Sequence, residues 1–149
     1  MNFQGKALIR AEAAAIWDVL LDVNRFAACM PGVEEVRQVD DRTFDGSINA
    51  SVGPMSGKFA FRATIVDSKP PSELTAEIDG SDSVTKSKLN ARNTMTLTPA
   101  GERQTELGYS ATVEVKGRLA ILGDMLLRTT ASLLLDEFIK RLRQQVEGV

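Results

Sequence analysis

Histidine is missing from this 149-residue chain. The absence removes the commonest general base near neutral pH, and with it every Ser-His-Asp or Cys-His nucleophile system. Cysteine occurs once, at Cys29. One cysteine without histidine cannot assemble the common zinc sites or an internal disulfide, so nothing points to an oxidising compartment. Long apolar runs are missing as well. The most apolar stretches, Leu119–Leu122 and Leu133–Leu135, are short and bounded by charges, far below the ~18 residues that a membrane span needs. Met1 to Arg10 alternate in polarity and lack the apolar stretch of a secretory leader, so a cytoplasmic protein is the expectation. A net charge of −2 gives no pull toward nucleic acid. Any catalysis is left to Asp, Glu, Lys or Tyr.

What is present is an ordinary globular composition, 43% apolar and 26% charged. The length suits one domain, here residues 1–149, with a core that needs no covalent staple. Residues 2–10 alternate as a strand, with Phe3, Gly5, Ala7 and Ile9 on one face. Ala13, Ile16, Trp17, Leu20 and Leu21 follow helical spacing within residues 12–22. A second short helix is expected over Val23–Ala28, stopped by Pro31-Gly32.

From Val33 to Gly117 the period is two nearly throughout, with apolar faces such as Phe44–Gly46–Ile48 and Phe59–Phe61–Ala63. Gly53-Pro54, Pro70-Pro71, Gly80–Ser83 and Pro99–Gly101 mark interruptions or turns, so these strands form an antiparallel meander. The alternate face, with Asp45, Lys58, Arg62, Glu77, Arg92 and Glu114, is wet. One long helix is expected over residues 119–146, with Gly123 its weak point. The fold class is therefore α+β. A helix ~10–12 Å across cannot cover seven flat strands spaced ~4.8 Å apart. The seven-stranded sheet must curl around the long C-terminal helix, and the two short helices must plug an end.

The covered face is rich in Ala and Gly. Small residues there either admit the helix closely or hollow out a cavity for a flat or chain-like apolar ligand. On the second reading the lining comes from Ile48, Phe59, Phe61, Met95 and Ala111 on the strands, and from Leu122, Met125 and Leu126 on the long helix. Asn93, on an otherwise apolar face, is either a buried amide satisfied by backbone or water, or a hydrogen-bonding point for a ligand. Tyr109 shares that face and the same two readings. Trp17 is a core residue or a stacking ring. Met30 and Met55 fall in loops and suit a mouth, whereas Met95 and Met125 are expected to pack in the core. Lys140, Arg141 and Arg143 complement the helix dipole or meet an acidic partner or membrane surface. Asp79, Ser81 and Asp82 lack the spacing of a calcium loop and read as a solvated turn.

Several segments taken together carry a resemblance: Trp17-x-x-Leu20-x-Asp22, Cys29-Met30-Pro31-Gly32, Val52-Gly53-Pro54-Met55, Gly80-Ser81-Asp82, and Val115-Lys116-Gly117-Arg118-Leu119-Ala120-x-Leu122-Gly123. In this order they resemble the CoxG family of carbon monoxide dehydrogenase proteins, within the START-like, helix-grip superfamily that includes the major birch pollen allergen type. The resemblance implies a helix-grip fold with a deep hydrophobic cavity. It also implies association with a molybdenum hydroxylase of the carbon monoxide dehydrogenase type. The role would be recruitment to the membrane, maturation, or handling of a quinone-like electron acceptor. The expected protein is non-enzymatic, holds menaquinone, ubiquinone or a lipid without a covalent bond, and works in the cytoplasm or at the inner face of the cell membrane.

Overall fold

The computed structural model describes residues 1–52, 55–82 and 86–147. The side chains of Ala50, Val52 and Met55 are outside that description. The period-two pattern becomes β1 (Asn2–Ile9), β2 (Val33–Gln38), β3 (Thr43–Val52), β4 (Met55–Lys69), β5 (Glu73–Asp82), β6 (Ser87–Gly101) and β7 (Gln104–Lys116). They form one antiparallel sheet in the order β1-β7-β6-β5-β4-β3-β2. Strands β2 to β7 are the expected meander, and β1 closes its far edge. Helices α1 (Ala13–Leu21) and α2 (Val23–Cys29) carry the chain from the β1 edge to the β2 edge. Asp22 separates them and caps α2, its Oδ1 accepting from the backbone N–H of Asn24 and Arg25 at 3.0 and 3.1 Å.

Register puts residues of like character together. Phe61 lies opposite both Gly46 and Gly80, and Asn93 opposite Ala76 and Ala111. On the outer face the Arg62 guanidinium donates to both Asp45 oxygens at 2.7 and 2.8 Å, and Arg92 donates to Glu77 at 2.8 Å. Lys58 pairs with Glu34 and Lys6 with Glu106. These exposed pairs add little stability, but they mark the wet side of the sheet.

Three expected boundaries move. The turn read at Gly80–Ser83 starts later, because β5 runs on through Asp82; Ser83 lies outside the described residues, as does the Gly53-Pro54 interruption. Strand β6 continues to Gly101, with a register shift between Pro99 and Gly101. The single helix over 119–146 divides into a 3-10 helix, Arg118–Leu122, and α3, Asp124–Val146. The cause is backbone geometry: Gly117 (φ 89°, ψ −157°) and Gly123 (φ 87°, ψ 160°) bracket the short helix in a region that residues with a Cβ avoid. The 23 residues of α3 span ~35 Å.

The fully packed interior is concentrated at one end. There α1 and α2 meet the C-terminal half of α3 and the ends of β1, β6 and β7, with Ile9, Ile16, Val19, Cys29, Leu107 and Leu142 each 0% exposed. The Phe26 and Phe138 rings meet at 5.6 Å. Gln145 Nε2 donates to the Arg25 carbonyl at 2.7 Å and to Cys29 Sγ at 3.0 Å, which ties α3 to α2. A smaller cluster closes the other end, where Leu119 and Leu127 pack with Met1, Phe59, Val115, Leu122 and Leu126.

Candidate functional site

Between the two packed ends the interior is lined rather than filled. Ile48, Phe61, Ala63, Ala76, Ile78, Ala91, Ala111 and Val113 all lie on the inner face of the sheet, and all are only half-buried. Leu127 and Phe138 of α3 are buried; Ala131 and Leu134, on the same helical stripe between them, are only half-buried. The backbone of α3 runs near those of α1, α2, β3 and the 3-10 helix. With alanine at positions 63, 76, 91 and 111, the inner face keeps partly exposed apolar surface along the middle of the sheet.

The expected site residues divide among these zones. Ile48, Phe61, Asn93 and Ala111 belong to the half-buried middle. Asn93 has no side-chain hydrogen bond among the described residues. Neither does Tyr109, whose ring crosses the strand pair to lie over Gly5, filling the place of a Cβ there. Tyr109 and Met95 are half-buried against the large cluster, at the border between the packed end and the lined middle. Phe59, Leu122 and Leu126 belong to the small cluster at the other end.

Three expected site residues stand apart from the lined middle, and for Met125 the expected place in the core is corrected. Trp17 is 7% exposed within the large cluster, so its place is in the core. Met30 falls in the connection between α2 and β2, as expected, and its half-buried side chain packs on the same cluster rather than standing at a mouth. Met125 is 84% exposed. It stands about 200° around the helix from the buried Leu127, which puts it on the outer face. Met55 as a gate concerns a side chain outside the description.

Two groups escaped the sequence reading. Asp82 is 4% exposed, not solvated, because the extra strand residues turn it inward beside Gly57, where a Cβ would lie 2.5 Å from its Oδ2. Ser87, its register partner, is 1% exposed, and its Oγ accepts from the Leu119 N–H at 3.0 Å. Strand parity continued from Ile78 through Gly80 would have found Asp82. The Gly-Ser-Asp triplet masked it as a turn.

Elsewhere, Cys29 has its thiol pushed above the usual value of 9.0, by burial first, opposed by the Gln145 hydrogen bond and by Arg141 and Arg25. Asp45 is held below the usual carboxylate range by its hydrogen bond with Arg62. Two outer depressions exist, about 390 Å³ between Arg10, Arg143, Gln144 and Glu147, and about 430 Å³ over Gly108 beside Gln4, Lys6 and Thr96. Both are shallow, and the second also borders Gly5 and the expected site residue Tyr109. Among the described residues no cluster of acidic or sulfur ligands could hold a metal ion. No helix among them is long and apolar enough to cross a membrane.

A curled sheet around a C-terminal helix, with an apolar inner face, defines a START-like fold. Solved structures agree. A START superfamily protein from Mycobacterium smegmatis superposes with a TM-score of 0.75 at 16% identity, over 98% of this chain and 97% of that one. A conserved protein from Geobacillus kaustophilus reaches 0.91 at 23% identity, over 97% and 94%. The Zhui aromatase/cyclase from Streptomyces sp. R1128 reaches 0.70 at 11%, over 97% and 92%. At these identities the likeness is one of fold. The family model for CoxG, a carbon monoxide dehydrogenase subunit, matches residues 5–147, and the chain belongs to that family. A search of curated proteins gives no match.

Proposed function

We propose that this protein is a non-enzymatic accessory of a molybdenum hydroxylase of the carbon monoxide dehydrogenase type. It carries an apolar ligand, quinone-like or lipid, between that enzyme and the membrane. Family membership supports the association. The observation that carries the ligand reading is the half-buried apolar middle between two packed ends. A chain selected only for stability would fill that space. Asn93 is the polar anchor, a half-buried amide free to donate to a quinone carbonyl or accept from a hydroxyl.

The test is native mass spectrometry after gentle purification, with lipid extraction, followed by titration with a menaquinone. Retained or added quinone at one equivalent is expected. Ala111→Phe should abolish it, and Asn93→Ala should weaken it about tenfold. A protein that takes up neither quinone nor lipid under any condition refutes the carrier reading. If Ala111→Phe still captures the dehydrogenase in a pull-down, docking and ligand carriage are separate properties. A cyclase or hydrolase reading has less support: the inner acid, Asp82, is already engaged with other groups.

A further inference from the structure

We propose that the 3-10 helix and the first turn of α3 form the docking surface for an anionic lipid bilayer. The proposal rests on the carrier reading for its purpose but not for its geometry. Ile121 is 82% exposed and Met125 84%, the two most exposed large apolar side chains among the described residues. They stand on either side of Gly123, on the outside of a segment whose other side, Leu119 and Leu122, is packed on Phe59 and Val115.

Cations lie on the adjoining segments. Lys116 ends β7 beside its register partner Lys88, Gly117 sits against the Lys86 backbone, and Arg118 opens the 3-10 helix. Lys86, Lys88, Lys116 and Arg118 are all exposed, and none has an ion-pair partner among the described residues. Elsewhere on the same outer face Lys6, Lys58, Arg62 and Arg92 are each neutralised by a carboxylate. At the far end of α3 Arg141 pairs with Glu137 and Arg143 with Glu147, which leaves Lys140 as an isolated exposed cation. Four cations without an ion pair, against the one exposed carboxylate of the segment, Asp124, thus leave net positive charge beside exposed aliphatic groups in a chain of net charge −2.

Size decides between a membrane and a protein. Two apolar side chains fall far short of the ~800 Å² per partner of a standard protein interface. A bilayer needs only a few inserted apolar groups with cations at headgroup level. Such docking places the thinly closed end of the lined interior, where Leu119 and Leu122 form the plug, against the lipid.

The test is co-sedimentation of the full chain with phosphatidylcholine vesicles, with and without phosphatidylglycerol, containing no quinone. Binding to the anionic vesicles alone, weakened by salt, is expected. The double variants Ile121→Ser/Met125→Ser and Lys88→Glu/Lys116→Glu should each weaken it by about tenfold or more. Lys140→Glu, at the other end, should leave it within about twofold. Thermal melts should match the parent, because the altered side chains are exposed. The proposal is overturned by an absence of anionic-vesicle binding, by full binding in either double variant, or by an equal loss on Lys140→Glu. Patch variants that lose dehydrogenase capture while the parent ignores vesicles would make the patch a protein interface. Quinone-free vesicles keep this outcome separate from the carrier test: either reading can fail while the other stands.

Discussion

The α1–α2 end and the middle of the interior use similar side chains to opposite effect. At the packed end, Ile16, Leu107 and Leu142 are wholly enclosed. In the middle, Ile48, Phe61 and Leu134 are as apolar but only half-buried. Each half-buried aliphatic side chain forgoes part of the roughly 1.5–3 kcal/mol that full burial contributes. A fold that completes its core at one end and not in the middle has separated a filled region from a lined one. The packed end holds the sheet curled, and the middle keeps apolar surface available.

The comparison breaks most visibly on a pair of substitutions in opposite directions. Leu142→Ala should cost about 2–5 kcal/mol, since it empties a closed site. Ala111→Leu should change stability by less than about 1 kcal/mol, because the added carbons enter open space instead of a filled core. Denaturant unfolding of both variants checks this. A penalty on Ala111→Leu as large as that on Leu142→Ala would show that the middle is as full as the end.

A smaller contrast lies in the two glycines that bracket the 3-10 helix. Both hold backbone conformations closed to other residues, so either alanine variant carries strain of about 1–3 kcal/mol. At Gly117 a Cβ also runs into the Lys86 backbone, which cannot give way as a side chain tip would; at Gly123 nothing lies within 4 Å. Gly117→Ala should therefore destabilise more than Gly123→Ala in the same unfolding assay. Equal losses would mean that the segment moves away from Lys86 freely, and that the closed end is held by Leu119 and Leu122 alone.

Much of this architecture was legible in the sequence. Alternation gave the strands from Val33 to Lys116, because a half-wet antiparallel sheet writes its two faces directly into residue parity. The width mismatch between seven strands and one helix required the curl. The motif resemblance supplied the family. Which residues on the long helix face inward was less legible. Met125 stands about 200° from Leu127 within α3, whose inner face is Leu127, Leu134 and Phe138, so it falls outside the inward stripe. Asp82 was hidden by the opposite error, a strand that outlasted its apparent turn. How far each inner residue is covered was not legible at all. Alternation reports which side a residue faces, whereas coverage depends on the distance between sheet and helix.

The smallest effect tests how dry the packed end is. Burial raises the Cys29 thiol above 9.0 in the fold, against the pull of Gln145, Arg141 and Arg25. An acid whose folded value is raised binds its proton more tightly when folded, so the contribution to stability is complete below pH 9.0 and is lost as pH rises through the folded value. Unfolding free energy measured from neutral to alkaline pH should fall more steeply in the parent than in Cys29→Ala, which has no thiol to ionise. The difference between the two curves isolates this group from every other contribution to the pH dependence. A thiol reagent should also react with folded protein far more slowly than with unfolded protein. Matching slopes, or a fast reaction in the fold, would place water at Cys29. The enclosed end would then be continuous with the lined middle, and the division of labour between them would not hold.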